Sequence, residues 1–246
     1  MRKSFLLLSF IFIASIASSQ RWLDIGLKGS WGPTWLFNKN IFDDQEFNHR
    51  LSTGYGFGGK VGFNLDDFHE ITFDFMISKF QQDFKYNLKD TVTGASPEFE
   101  KSLQFHTMDF ILMYRHNKDG RYFEVGPGYS IIRKASGTNT LPTFETSDGV
   151  ILDNLVPGYP TMNLGFGGYF IGTENFGITF GARFSYGLTD LISEEGQANH
   201  QYPANVSYAT YTPSHPFSAQ LVMEANLDFA YMVKAKCSNK RKILLF

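Results

Sequence analysis

The stretch STGYGFGGKVGFN, residues 52–64, admits two readings that lead to different proteins. Gly54, Gly56, Gly59 and Val61 fit the G-x-G-x-x-G-x-V of a kinase phosphate loop, and Gly54, Gly59 and Lys60 come close to G-x-x-x-x-G-K-[ST]. The same residues also alternate with period two. Tyr55, Phe57, Gly59, Val61 and Phe63 fall on one side, and Gly54, Gly56, Gly58, Lys60, Gly62 and Asn64 on the other. A phosphate loop has no need of that alternation, whereas a strand with one apolar face requires it. The nucleotide reading also lacks its other parts: Val61 stands where a Walker loop needs Ser or Thr, and no β3 lysine, H-R-D and D-F-G follow in order. The stretch is a strand.

Seven further segments carry the same period. Apolar alternation runs over 23–31, 71–77, 108–114, 123–131, 162–170, 178–188 and 219–231, giving eight strands of about ten residues. Their apolar faces together hold 41 positions without one Asp, Glu, Lys or Arg, where a charged content of 19% would place about eight. The connections alternate as well: long at 32–52, 79–102, 134–160 and 190–217, short at 64–69, 116–121 and 172–177. Asp66-Asp67, Asn117-Lys118-Asp119-Gly120 and Gly172-Thr173-Glu174-Asn175 supply turn chemistry at the short ends. Short turns at one end and long loops at the other are the asymmetry of an outer-membrane barrel, and an even strand count puts both termini on the periplasmic side.

The N-terminus fits export. Arg2 and Lys3 precede an apolar run from Phe5 to Ile16, and Ala17-Ser18-Ser19 forms a small-residue cleavage signal before Gln20. The expected organisation is a signal peptide over 1–19, a barrel over 20–232 and a basic periplasmic tail over 233–246. No run of 18 apolar residues follows the signal, so helical membrane spans are not expected. Twenty-six Phe, twelve Tyr and 23 Gly suit an aromatic β protein, and a net charge of −2 argues against a nucleic-acid partner. The single cysteine, Cys237, rules out an internal disulfide framework and a cysteine-based zinc cluster.

A soluble barrel would also alternate, but with its apolar side inward. Here the apolar faces carry large rings, among them Trp31, Phe57, Phe73, Phe123, Phe166 and Phe180, while the polar faces are rich in glycine. An eight-stranded lumen is just wide enough for side chains to fill, so the rings are expected outside and the small residues inside. The inward set then includes Asp24, Lys28, Lys60, Glu70, Asp74, Asp109, Arg115, Glu124, Arg183, Glu224 and Asp228. Charges removed from water must pair, so a charge network plugging the lumen is expected, with a narrow gated pore as the alternative.

The runs MDFILMYRHNKDGRYFEVGPGYS (108–130) and GITFGARFSYGLTDL (177–191) resemble two adjoining strand pairs of the PorT-like outer-membrane β-barrel family of Bacteroidota. A signal ending in Ser19-Gln20 agrees with that resemblance. It implies the fold, an outer-membrane location, outer-membrane lipids as surroundings, and envelope or type IX secretion proteins as partners. The first half, from DIGLKGSWGPTWLFNKNIF (24–42) through the glycine stretch, departs from the secretion members.

No constellation argues for chemistry. The six histidines show no H-x-x-x-H or H-E-x-x-H spacing, and no cofactor or metal site is expected. His215 and Ser218, with Glu224 deeper on the same segment, form the one candidate for a surface lipid hydrolase. Trp35, Phe37, Phe42, Phe47, Tyr202, Tyr208 and Tyr211 in the long loops either bind a partner or fold over the barrel mouth. Gly126-Pro127-Gly128 is expected to kink or bulge its strand. The expected role is non-catalytic, in envelope structure or surface interaction.

Overall fold

The computed structural model describes residues 22–44, 47–87, 97–140, 152–173, 176–198 and 210–228. The signal peptide, the basic tail, Phe229, Tyr231, Tyr202, Tyr208 and Cys237 lie outside the described residues. Nine strands appear among those described: β1 (Trp22–Phe37), β2 (Phe47–Arg50), β3 (Ser52–Asn64), β4 (His69–Asn87), β5 (Glu98–Lys118), β6 (Arg121–Asn139), β7 (Gly158–Gly172), β8 (Phe176–Gly187) and β9 (His215–Asp228). Eight of them form a closed antiparallel ring, β1-β3-β4-β5-β6-β7-β8-β9, with β9 returning to β1. The ladder from Trp22 runs through Asn64, Glu70, Arg115, Glu124, Gly165, Arg183 and Gln220. It regains β1 opposite Gly32, a stagger of ten residues around the ring. A stagger of this kind forces the strands to tilt, and with eight strands it leaves an interior that side chains fill.

Turn chemistry sets one end. Asp119 and Gly120 both have positive φ, 51° and 75°, the pair of left-handed residues that a two-residue I′ hairpin needs between β5 and β6. Asp66 closes the β3–β4 turn by accepting the backbone N–H of Phe68 and of His69, each at 2.8 Å.

The strands of the ring are longer than the ten residues expected, from 12 in β8 to 21 in β5. The reason is a change of sign in the sequence pattern. On β4, Glu70, Thr72, Asp74 and Met76 face inward while Ile71, Phe73 and Ile77 are exposed outside. Past Ser78 the same parity carries Phe80, Phe84 and Tyr86 inward, and Lys79, Gln81, Asp83 and Lys85 take the outer face. On β5 the change falls opposite, at Thr107 and His106, which pair with Ser78 and Lys79. The barrel therefore has two storeys. The lower one is apolar outside and polar inside; the upper one is the reverse. Searching for apolar faces of one sign ends each strand at the inversion and assigns the rest to loops.

β2 is the upper continuation of β3, interrupted at the exposed Leu51 and offset by one residue in its pairing with β4. It belongs to the region expected as a loop over 32–52. The loops above it supply a lid. Helix α1 (Lys39–Asp43), capped by the Asn38 side chain accepting from the Ile41 N–H, plants Ile41 inward. The segment ahead of helix α2 (Glu194–Ala198) plants Leu191 and Ile192, and Ile192 bridges to Leu155. With Leu36, Phe47, Phe84, Leu103 and Phe105 these residues form one buried apolar cluster across the mouth.

Pro127 does not shift its ladder. The pairs Ile111–Gly128 and Tyr114–Val125 share one register, and the strand absorbs the missing N–H without a bulge. The register shifts lie instead at His106/Thr107, where Arg133 is the extra residue on β6, and at Tyr169/Ile171.

Candidate functional site

The charges of the lower lumen come from seven of the eight ring strands. Glu70, Arg115 and Glu124 stand directly opposite one another on β4, β5 and β6, so charge alternates from strand to strand at one level. Arg183 on β8 follows after Gly165, whose missing Cβ leaves room for the Glu124 carboxylate. Arg115 is the hub. Its guanidinium donates to Glu124 at 2.8 and 3.0 Å and to Glu224 at 2.8 and 2.9 Å, with Glu70 at 3.7 Å, and it lies 4.4 Å from the centre of the Tyr122 ring. Arg183 joins Glu124 at 2.6 Å to Asp74 at 2.8 Å. Lys28 bridges Asp74 and Glu224 at 2.7 and 2.9 Å. Lys60 reaches Glu70, Glu224 and Asp24 at 2.7, 2.8 and 3.5 Å.

Asp24, Lys28, Lys60, Glu70, Asp74, Arg115, Glu124, Arg183 and Glu224 are thus a single connected network of five acids and four bases, every member buried. Asp228 sits opposite Asp24 in the β1–β9 register, at the network's lower edge. Asp109 stands apart from it, higher on β5, where its carboxylate accepts the Ser78 hydroxyl at 2.6 Å.

Two lumen glycines show how tightly the site is filled. A Cβ on Gly62 would lie 2.1 Å from Asp24 Oδ1 and 2.4 Å from Glu70 Oε1, and one on Gly181 would lie 2.3 Å from the Tyr122 hydroxyl. Sequence reasoning missed Tyr122, whose parity places its ring inward beneath Arg115, and Val222; Met76, Ile111 and Met113 line the lumen between charges on the faces that alternation assigns them. The parity of Tyr122 with Glu124 was the available signal.

Above the network is a cavity of about 70 Å³, room for a few waters and for no larger ligand. Hydroxyls dominate its wall, including Ser30, Thr107, Ser130 and Thr161. The charge network lies below it and the buried apolar cluster above it. Ion pairs running from strand to strand hold these lumen charges in place against one another.

The other candidates do not assemble. His215 stacks on Tyr186 on the outer face and its Nδ1 meets the Gly187 carbonyl at 2.9 Å, whereas Ser218 lines the internal cavity, so the two lie on opposite sides of β9. Among the described residues no group of three or more His, Cys, Asp and Glu is arranged to hold a metal ion. The loop aromatics divide: Phe47 is buried in the lid, while Phe42 is exposed, stacked between Phe37 and His49. Tyr211 is exposed too, its hydroxyl bonded to Asp190. In the upper storey Lys101 is buried on the inner face, and burial pushes its ammonium down to about 7. At the opposite end Asp66, accepting two backbone N–H groups, is held below the usual carboxylate range.

No family model matches this chain, and no curated protein matches it. Solved structures do. Neisserial surface protein A is similar at 10% identity and a TM-score of 0.44, over 83% of this chain and 97% of that one. Outer membrane protein OprG of Pseudomonas aeruginosa gives 8% and 0.38, over 86% and 96%. The N-terminal β-barrel domain of Pseudomonas aeruginosa OprF gives 15% and 0.33, over 85% and 100%.

Proposed function

We propose that this chain is an integral outer-membrane barrel with a plugged lumen, acting without catalysis in envelope structure or surface interaction. The observation that carries the reading is the lower storey's outer face. Leu27, Trp31, Phe57, Phe63, Phe73, Leu112, Phe123, Phe166, Phe180, Leu221 and Met223 are exposed there, on every strand of the ring, while nine charged side chains are buried on the inner face. A water-soluble barrel buries its rings and exposes its charges, and a continuous exposed apolar belt is far beyond the patches tolerated on soluble monomers. In lipid the same arrangement is favourable on both faces, because a closed ring leaves no unpaired backbone edge. The upper storey, polar outside and apolar inside, suits water on its outer face.

The surroundings on this reading are outer-membrane lipids, and the partners are envelope proteins met by the upper storey and the exposed loop aromatics. Residues 1–19 are the export signal, cleaved near Ser19/Gln20, and 233–246 a basic periplasmic tail. The likeness of residues 108–130 and 177–191 to the PorT-like family of Bacteroidota agrees with this placement and offers a role in protein secretion as the competing assignment. The lumen network acts as a plug. Planar-bilayer recording of the purified protein tests the reading: it predicts no steady conductance, and a stable single-channel current in the wild-type chain would replace the plug with a transport role.

A further inference from the structure

At the tight-turn end of the barrel, His69 on β4 and His116 on β5 are direct cross-strand partners on the outer face. Their ring centres are 5.0 Å apart. Antiparallel partners hold their Cβ atoms about 4.5–5.5 Å apart, a spacing from which two imidazoles can share one ion with metal–nitrogen bonds of about 2.0–2.1 Å. A second observation points the same way. His69 Nδ1 is hydrogen-bonded to the Tyr114 hydroxyl at 2.5 Å, with the two rings stacked at 5.8 Å. Metal-binding histidines are oriented in this manner, one ring nitrogen held by an outer partner and the other left to ligate. Among the described residues the His116 ring has no hydrogen-bond partner, so nothing competes with a metal for either of its nitrogens. Asp66, fully exposed in the adjoining turn, adds a negative charge beside the pair.

We propose that His69 and His116 form a binding site for a borderline divalent transition-metal ion. Two imidazoles supply two positions and water the rest. This accounts for a site that sequence spacing does not reveal, since the histidines lie 47 residues apart in the chain and meet only through the β4–β5 register. Imidazole pairs rank such ions in the order of their intrinsic affinity, with Cu²⁺ the tightest, so Cu²⁺ is the probe of choice. The bound ion would also staple β4 to β5 beside the β3–β4 and β5–β6 turns.

The test is electron paramagnetic resonance of Cu²⁺ titrated into the full chain in detergent micelles, read with wild type and the His69→Ala, His116→Ala, Tyr114→Phe and His106→Ala variants. The expected result is one Cu²⁺ per chain with coupling to two imidazole nitrogens. Each of the His69 and His116 variants should reduce this to one nitrogen and weaken binding at least about tenfold, the Tyr114 variant should weaken it while keeping two nitrogens, and the His106 control should leave it unchanged. Two-nitrogen coupling that survives in both single-histidine variants, or the absence of a stoichiometric complex at 1 mM Cu²⁺ in a correctly folded sample, overturns the proposal.

Discussion

Replacing Arg115 with methionine removes the hub of the lumen network while keeping most of its volume. The guanidinium now satisfies Glu124 and Glu224 through four hydrogen bonds and faces Glu70 at 3.7 Å. With five acids and four bases the network carries a formal charge of −1, and the substitution takes it to −2 among side chains that are all buried. Removing one partner of a buried pair costs about 3–5 kcal/mol, chiefly through the charge left behind. The double variant Arg115→Met/Glu224→Gln returns the formal charge to −1 and removes one orphaned carboxylate. It is expected to recover about 1–3 kcal/mol of the loss, the range for contacting residues in one network. Urea unfolding in lipid vesicles, followed by the shift in gel mobility between folded and heated samples, measures both. A single variant within about 1 kcal/mol of wild type, or a double variant no more stable than the single, would refute the view that these side chains form one coupled and dehydrated unit.

Other perturbations separate the two faces and the two storeys. Phe73→Arg, on the belt, should cost about 2–4 kcal/mol in the same assay, whereas Gln81→Arg, on the outer face of the same strand above the inversion, should stay within about 0.5 kcal/mol. Gly62→Ala should destabilise the barrel by about 1–3 kcal/mol because its methyl meets two carboxylates, while Gly29→Ala, with nothing within 4 Å of the added atom, should be nearly neutral. Lys101 has its folded pKa pushed down to about 7, so the opened lid binds the extra proton. Protection of upper-storey amides from hydrogen exchange, corrected for the intrinsic rate, should therefore fall as pH drops from about 10 to 7 and level off below that; Lys101→Met should remove the dependence.

The ring was legible because period-two alternation survives in short windows, and Tyr55 to Phe63 against Gly54 to Asn64 contains it in full. The lumen charges were legible for the same reason: once Glu70 or Arg183 falls on the polar face of a strand, closure of the barrel fixes that it points inward. What the sequence could not display was pairing between strands. Nothing in the chain places Arg115 against Glu224, 109 positions away, until the stagger of the ring is known. The upper storey was missed for a different reason. Phe80, Phe84 and Tyr86 share parity with Glu70 and Asp74, and a search that assigns apolar residues to one face reads that continuation as the end of a strand. The outer face turns from apolar to polar halfway along a single strand, and the rule reverses there. The pairing of His69 with His116 was hidden in the same way, because it lies across the β4–β5 register and not along the chain.

The sign of the outer face along β4 decides the account. With Cys237 replaced by serine, single nitroxide labels at positions 73, 75, 77, 79, 81, 83 and 85 report accessibility to oxygen, which partitions into lipid, and to a water-soluble nickel chelate. The account predicts oxygen-dominated relaxation at 73, 75 and 77 and chelate-dominated relaxation from 79 onward in reconstituted protein. Chelate access at all seven positions, or oxygen access at 79–85 with chelate access at 73–77, would contradict it.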